Sequence, residues 1–286
     1  MELSYPVIEK SYKGLFPFGL GTTSYIYPAA ILPNVMRLAP VLDEIEIVLF
    51  ESSGKDNLPD KGLIRRLNTL STDTGVQFNV HLPIDIYLGD QREAVRSQGL
   101  DVVKRFMERT LPLSPSTYTL HFSLKDEKGQ DPSDLALWKS QLMQSGEVIL
   151  RSGIEPSRIS VETLRYPYEW IEDIVRNFGF SVCLDIGHLL LKGLDLKGRL
   201  ERYLSQTSII HLHGLKDGID HLGINNLNGE TLEIIFSSLL HFRGILSIEV
   251  FTFDDLRNSL QVLEESWRTI SSSSPAGAGA EKAGLP

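Results

Sequence analysis

The sequence predicts a single-domain α/β protein, a (β/α)8 TIM barrel, from three observations. Short apolar and β-branched runs alternate with longer segments of helical periodicity, as expected for repeated strand and helix units around a parallel sheet. Eight such units occur in 286 residues, and six of the apolar runs carry a His, Asp or Glu near their carboxyl ends. Because eight units suit a closed barrel better than an open sheet, we expect a barrel over residues 16–270. An N-terminal extension (1–15) and a disordered tail (271–286), poor in apolar residues, complete the chain.

The eight predicted strands are, in chain order, FGLGTTS, EIEIVLF, FNVHL, YTLHF, ISVETL, SVCLDIG, IIHLHG and ILSIEVF. The first run contains two glycines without the full dinucleotide fingerprint, so it indicates a tight turn. The segments between the runs have apolar residues at helical spacing. The predicted helices begin near Leu32, Gly62, Arg92 and Ser133, and then occupy PYEWIEDIVRNF, LKGRLERYL, GETLEIIFSSLLHF and DDLRNSLQVLEESWRTI.

Six of the runs carry the same three-residue pattern near their carboxyl ends. Residues two apart in a strand share a face. The aliphatic middle residue of each pattern is therefore expected to face the helices, and the first residue to fill the barrel. The third residue should point into the mouth, and these third residues are His81, His121, Glu162, Asp185, His211 and Glu249.

These side chains, with His188 three residues after Asp185, predict a divalent metal site. Active sites of TIM barrels lie at the carboxyl ends of the strands, so the side chains should converge on one pocket. Any one of them alone is most simply a hydrogen-bonded structural residue, but clustered carboxylates repel one another unless cations compensate. Mixed imidazole and carboxylate ligands favour Zn, Mn or Fe. Cys183 is the only cysteine, so we expect His and carboxylate ligands alone.

Charge and composition restrict the partners. Lys and Arg total 28 against 37 Asp and Glu, whereas binding along a nucleic-acid backbone depends on basic residues. There is no run of about 18 apolar residues and no secretory leader pattern. We expect a cytoplasmic protein with a small-molecule substrate and no nucleic-acid or membrane partner. The sequence also contains no P-loop and no nucleophile elbow.

Four further residues are weaker candidates for substrate contact. His213 shares a strand face with His211, and it either contacts substrate or supports the metal ligands. The others are Glu46 and Glu51, near the end of the second strand, and Arg165, after the fifth. For these three residues a solvated loop charge is the simpler interpretation.

The metal-ligand pattern resembles that of a known superfamily. Glu162, the DIGH motif, His211 and Glu249 are similar to the metal centre of xylose-isomerase-like barrels, which include endonuclease IV and many sugar isomerases and epimerases. The resemblance implies that Glu162, Asp185, His211 and Glu249 bind one metal. His81, His121 and an Asp/His pair are additions typical of the members that cleave phosphodiesters with several metals. Asp220 and His221 stand where that pair would be, with different spacing, and are assigned to substrate binding.

A closer resemblance covers Phe16 to about Trp267. The motifs FGLGTTSYIYPAAILPNV, IEIVLFES, NVHLPIDIYLGD, CLDIGHLLL, IIHLHG, DHLGI and ILSIEVF together resemble the cobamide-remodelling phosphodiesterase (CbiR) family. That family opens the nucleotide loop of cobamides at its phosphoribosyl linkage. The resemblance implies a metal-dependent hydrolase acting on a corrinoid, and the loops TTSYIYP, PIDIYLGD and RYPYEW are expected to cradle this substrate.

For hydrolysis, a first ion is assigned to Glu162, Asp185, His211 and Glu249, and His81, His121 and His188 complete a second position. The expected catalytic residues are Glu162, Glu249 and His188, with Glu162 bridging the ions and orienting the attacking water. Two alternatives stay open. A sugar isomerase or epimerase would use Glu162 and Glu249 to move a proton beside a single metal. A barrel that only binds a ligand would leave the acid and imidazole cluster unexplained.

Overall fold

The computed structural model describes residues 5–54, 57–124 and 132–273. Eight parallel strands close into a barrel in the order β1-β10-β7-β6-β5-β4-β3-β2, which confirms the predicted fold. The strands are β1 (Gly19–Thr23), β2 (Glu44–Val48), β3 (Gln77–His81), β4 (Tyr118–Leu120), β5 (Ile159–Glu162), β6 (Ser181–Asp185), β7 (Thr207–Leu212), β8 (Gly214–Lys216), β9 (Ile219–Leu222) and β10 (Ile245–Ile248). β8 and β9 form a separate antiparallel hairpin.

The helices surround the barrel. They are α1 (Ile31–Leu38), α2 (Lys61–Thr74), α3 (Glu93–Thr110), α4 (Pro132–Leu150), α5 (Glu172–Phe178), α6 (Ile186–Leu191), α7 (Leu196–Tyr203), α8 (Gly229–Leu239) and α9 (Phe253–Ser273). Several begin at side-chain caps, as at α2, where the Asp60 carboxylate accepts a hydrogen bond from Leu63 N at 2.7 Å. Such a cap satisfies a backbone donor that the helix leaves free and fixes where the helix starts. No helix within the described ranges is long and apolar enough to cross a bilayer.

Three local features differ from the sequence predictions. α6 follows β6 directly, where only a strand was predicted. The hairpin of β8 and β9 interrupts the connection after β7. α9 continues to Ser273, three residues beyond the end of the predicted helix at Ile270. Residues 274–286, and with them the rest of the predicted tail, lie outside the described residues.

Apart from Ile209, the first residues of the strand patterns form a layer of small or polar side chains inside the barrel, as predicted. Asn79, Thr119, Ser160, Cys183 and Ser247 are fully buried. Below this layer the Glu44 carboxylate accepts hydrogen bonds from Asn79 Nδ2 at 2.7 Å and Ser116 Oγ at 2.5 Å. Burial outweighs these hydrogen bonds and raises the pKa of Glu44 to about 7.

The N-terminal extension packs against the barrel without a helix or strand of its own over residues 5–15. Tyr12 N donates to Val41 O at 2.8 Å, and the Lys10 ammonium pairs with the Glu264 carboxylate of α9 at 2.6 Å. The extension therefore links the loop between α1 and β2 to the last helix.

Candidate metal centre

The predicted side chains converge at the carboxyl ends of the barrel strands. His81, Glu162 and Asp185 are the last residues of their strands, and His211 is the last but one of β7. His121 and Glu249 come one residue after β4 and β10. The sequence pattern therefore places its third residues in one cluster, as expected from side-chain alternation. All six are buried or nearly so.

Glu162 lies at the centre of the cluster. Its Oε2 is 2.8 Å from His121 Nε2 and 3.2 Å from His81 Nε2, while its Oε1 is 3.4 Å from His188 Nδ1. His81 Nδ1 lies 2.9 Å from the Leu82 carbonyl oxygen, and donating to it would leave Nε2 free to face Glu162. One buried carboxylate thus contacts imidazoles from β3, the end of β4 and α6.

A second group of contacts lies across the barrel from His121. His211 Nδ1 is 3.2 Å from Glu249 Oε2 and 3.7 Å from Glu162 Oε2. Asp185 Oδ2 is 3.1 Å from His188 Nδ1. Glu162 belongs to both groups, because its Oε2 lies 2.8 Å from His121 Nε2 and 3.7 Å from His211 Nδ1.

The DIGH motif owes its geometry to the short helix α6. Asp185 caps this helix, and its Oδ1 accepts a hydrogen bond from His188 N at 2.7 Å. The cap turns His188 back toward the same mouth that Asp185 faces. Gly187 is required between them, since a Cβ at this position would overlap the His213 ring. The motif thus places a carboxylate and an imidazole side by side.

The electrostatics of the cluster favour charged carboxylates. Burial alone would raise the pKa of Glu162, but His121, His188 and His81 together hold it well below its usual range. Burial would likewise raise the pKa of Glu249, but the neighbouring His211 outweighs burial and holds this pKa well below its usual range. For these carboxylates, neighbouring charge and hydrogen bonding dominate over desolvation.

The imidazoles respond in the opposite direction. Burial opposes protonation of His188, but Asp185 and Glu162 outweigh it and raise its pKa to about 10. The pKa of His211 is also raised well above its usual value, with desolvation opposed by Cys183, Glu46 and Glu249. Protons on these rings occupy the positions that a cation would take, so metal binding at this site has to displace them.

The donor set fits divalent metal ions. Glu162 belongs to several groups of three side chains whose potential ligand atoms lie within 4.8 Å of one another. In one group its partners are His81 and His121. In others they are Asp185 with His188, and Cys183 with His211. Asp185 Oδ2, Glu249 Oε2 and both ring nitrogens of His211 are buried without a properly angled hydrogen bond among the described residues. Such atoms are costly to bury unless something binds them. Imidazole and carboxylate donors in this mixture suit Zn, Mn or Fe.

Cys183 was not expected to take part in metal binding. Its thiol lies in the layer directly below, within the group formed with Glu162 and His211. Burial raises the pKa of this thiol. The thiolate is the form that binds metals, so Cys183 is a poorer ligand than its imidazole and carboxylate neighbours.

Glu46 is not the solvated loop charge favoured by the sequence analysis. It is fully buried inside the barrel on β2. Its Oε1 lies 3.1 Å from His211 Nε2, and its Oε2 accepts a hydrogen bond from Ser247 Oγ at 2.7 Å. A carboxylate on the far nitrogen of a metal-ligating imidazole fixes the ring orientation and raises its basicity. Glu46 therefore supports His211 from behind and does not face the open mouth.

The remaining candidates divide between the interior and the rim. His213 is fully buried, lies 3.3 Å from Asp185 Oδ1, and accepts a hydrogen bond from His221 N at 2.9 Å. Of the two roles expected for His213, these contacts favour support of the ligands over substrate contact. Arg165 and Asp220 form an exposed ion pair of 3.3 Å at the rim.

The other two candidates differ in their distance from the cluster. His221 Nε2 reaches to within 3.6 Å of Glu249 Oε2, so the hairpin of β8 and β9 adds an imidazole to the site. Glu51 is exposed, and its backbone carbonyl accepts a hydrogen bond from Asn57. No contact between the Glu51 side chain and the cluster occurs in the part of the chain that the structure describes.

Three half-buried aromatic side chains line the mouth beside the cluster, and the sequence analysis missed two of them. Tyr25, Phe50 and Phe251 form the aromatic wall, with ring centroids 5.0 Å apart for Tyr25 and Phe50 and 5.7 Å apart for Phe50 and Phe251. The Phe251 ring lies 5.4 Å from that of His221. Their positions soon after β2 and β10, on the same runs as Glu46 and Glu249, were the signal available in the sequence.

Fold and site together define a class of protein: a TIM barrel with a cluster of metal-ligand side chains at the carboxyl ends of its strands. Within that class, the chain belongs to the xylose isomerase-like TIM barrel family, whose sequence profile matches residues 42–271. Members of this family are enzymes, and many depend on metals. No curated protein matches the chain significantly in sequence.

Solved structures share the fold at low sequence identity. A D-tagatose 3-epimerase-like protein superposes with a TM-score of 0.70 at 21% identity, covering 89% of this chain and 99% of that one. Endonuclease IV from Thermus thermophilus superposes with a TM-score of 0.65 at 17% identity, covering 88% and 99%. The IolI protein, solved with a bound zinc atom, gives 0.65 at 14% identity, covering 89% and 96%. The same barrel therefore hosts different chemistries.

Proposed function

We propose that the protein is a divalent-metal-dependent phosphodiesterase that hydrolyses the phosphoribosyl linkage in the nucleotide loop of cobamides. The observation that carries the hydrolase assignment is the contact of His81 and His121 with Glu162 Oε2, in addition to the pair that His188 forms with Asp185. This arrangement offers more ligands than one ion uses, because a catalytic metal keeps three or four protein ligands. The cobamide substrate is supported by the motif resemblance along the chain.

The proposed ligand sets combine the sequence assignment with the contacts. Glu162, Asp185, His211 and Glu249 would hold a first ion. The sequence assignment gave His188 to the second position with His81 and His121, but its ring lies on the first side, with Nδ1 3.1 Å from Asp185 Oδ2. His81 and His121, together with Glu162, would therefore provide the second position. A carboxylate shared by the two sets would keep two ions close enough to act on one phosphate.

Bound divalent ions would supply charge stabilisation to the phosphoryl oxygens and lower the pKa of a water molecule. The chain's own residues then position the reactants. Glu162 and Glu249, with pKa values well below the usual range, are ionised and can accept a hydrogen bond that orients the attacking water. Hydrolysis breaks the bond between phosphorus and the ribose oxygen, and it yields cobinamide phosphate and the lower-ligand nucleoside.

His221 is the imidazole best placed to meet the substrate at the rim. Its side chain is 27% exposed, and its ring lies between Asp220 and Glu249. Burial opposes its protonation, but Glu249 and Asp220 outweigh that effect and raise its pKa to about 9. At neutral pH it therefore carries a proton that it can donate in a hydrogen bond to the phosphate or to the leaving oxygen.

Sugar epimerisation is the second candidate, favoured by the resemblance to the structures of a D-tagatose 3-epimerase-like protein and an L-ribulose 3-epimerase. In that reaction Glu162 would abstract a proton beside one metal. The contacts argue against this role of Glu162 as a base, because His81 and His121 both contact its Oε2. A carboxylate held by two imidazoles is a weak base for a carbon acid.

The test is an assay on a natural cobamide. Protein loaded anaerobically with Zn, Mn or Fe(II) is incubated with adenosylcobalamin, and the products are separated and identified by mass. We expect equal amounts of cobinamide phosphate and the benzimidazole riboside, and no products from chelator-treated protein or from Glu162→Gln. If no metal supports cleavage and the same protein interconverts tagatose or fructose, the epimerase assignment is correct instead.

A further inference from the structure

The aromatic wall of Tyr25, Phe50 and Phe251 has no role in the metal chemistry. Its residues follow β1, β2 and β10, which are neighbours in the barrel and pair in register. The wall therefore forms one continuous surface on one side of the mouth. Through Phe251 it reaches His221, which in turn lies 3.6 Å from Glu249 of the metal centre.

Other aromatic side chains of the predicted mouth loops are used for packing. Tyr27 and Tyr166 are only 3% and 4% exposed. Tyr27 stacks on Phe253 with ring centroids 5.8 Å apart, and Tyr166 stacks on Trp170 at 5.9 Å. The three wall residues are instead half-buried and present accessible ring surface. Exposed apolar surface beside a charged site is characteristic of ligand contact.

We infer that the aromatic wall is a stacking subsite for a flat, uncharged heteroaromatic ring, namely the base on the nucleoside side of the scissile phosphodiester. This inference rests on the proposed function. The other side chains of the cluster are carboxylates and imidazoles, which suit phosphate and ribose oxygens but not an apolar ring. The wall offers apolar ring faces that adjoin them in the described part of the mouth.

The tilt of the rings favours the base over the corrin ring. The Tyr25 ring is inclined to that of Phe50 by 50°, and the Phe50 ring to that of Phe251 by 48°. A wide flat macrocycle therefore cannot lie against all three faces together, whereas a base of one or two fused rings needs only one of them. Bases stack on aromatic side chains without regard to their hydrogen-bonding edge, which suits a site that accepts different lower-ligand bases.

The experiment measures binding separately from turnover. Metal-loaded wild-type protein, Phe251→Ala and Phe251→Leu are titrated by calorimetry with two probes, the 5,6-dimethylbenzimidazole riboside and cobinamide. Losing one base stack weakens binding by about tenfold or more. We therefore expect the riboside Kd to rise by about tenfold in both variants, with cobinamide binding unchanged. The leucine variant preserves side-chain bulk, so it keeps the test valid if the alanine variant folds poorly.

Trp267→Leu is the matched control, because this half-buried aromatic side chain of α9 packs against Phe16 and Phe18, away from the wall and the mouth loops. It should leave both Kd values unchanged. The inference is overturned if wild-type protein does not bind the riboside at millimolar concentration, if Phe251 variants bind it normally, or if they lose cobinamide equally. Failure of the cobalamin assay alone would reject the proposed function, whereas wall-dependent riboside binding would still stand.

Discussion

Among the single residues, Glu46 makes the contact with the clearest consequence for metal binding. It lies 3.1 Å from His211 Nε2, while the other ring nitrogen of His211 faces Glu249 and Glu162. We expect Glu46→Gln to weaken metal affinity by about 10-fold to 100-fold, because the carboxylate no longer orients the ring. A competition titration of the purified protein with a chelating dye measures this change.

Glu44→Gln is the control for this prediction. Glu44 lies two residues earlier on the same strand and is equally buried, but it bonds to Asn79 and Ser116. This substitution should leave metal affinity unchanged even if it alters stability. Affinity of Glu46→Gln within twofold of the wild type would show that Glu46 does not support the site.

The proposed metal ligands could be predicted from the sequence better than the residues that hold those ligands in place. His81, Glu162 and Asp185 were found because each ends a strand and alternation fixes where it points. Glu46 was misjudged because its distance from His211 depends on barrel closure, although the four apolar residues that follow it indicated a buried strand. The wall residues Phe50 and Phe251 were taken for ordinary apolar residues at the ends of strands, because a sequence does not show which aromatic rings remain accessible.

At the scale of secondary structure, α6 is the element that determines the geometry of the centre. We expect Gly187→Ala to destabilise the protein by about 1–3 kcal/mol, because overpacking a full interior strains it. The added methyl group would displace the His213 ring and with it Asp185, so bound metal should also decrease. Thermal unfolding and metal analysis of the same preparation report the two effects.

Gly229→Ala serves as the comparison. A methyl group at this position in α8 meets nothing within 4 Å. Its effect on the free energy of unfolding should be below about 1 kcal/mol, with full metal content. Equal behaviour of the two variants would mean that the close approach of α6 to His213 has no functional importance.

The barrel strands and most helices could be predicted because their apolar periodicity is strong. α6 could not, since IGHLLL continues the apolar run of β6 without a break in composition. The hairpin was missed although its signal was present: Asp217 and Gly218 have φ values of 54° and 79°, as in a tight hairpin turn. Asp-Gly between short strands is a strong indicator of such a turn.

At the scale of the whole molecule, fold and chemistry are only loosely linked. Eight strand and helix units predicted barrel closure, but epimerases and an endonuclease share this barrel at similar TM-scores. Function on a shared fold depends on the side chains of the site. In this chain the proposed function depends on whether His81 and His121, beside Glu162, hold an ion.

Metal stoichiometry tests this claim most directly. Wild-type protein, His121→Ala, Asp185→Ala and the control His241→Ala, an exposed residue after α8, are reconstituted, desalted and analysed by mass spectrometry of the metals. We predict about two ions per chain in the wild type and the control. His121→Ala should lose the second ion and keep the first, and Asp185→Ala should lose the first ion and activity. A single ion in the wild type, retained unchanged in His121→Ala, would contradict the proposed two-metal centre.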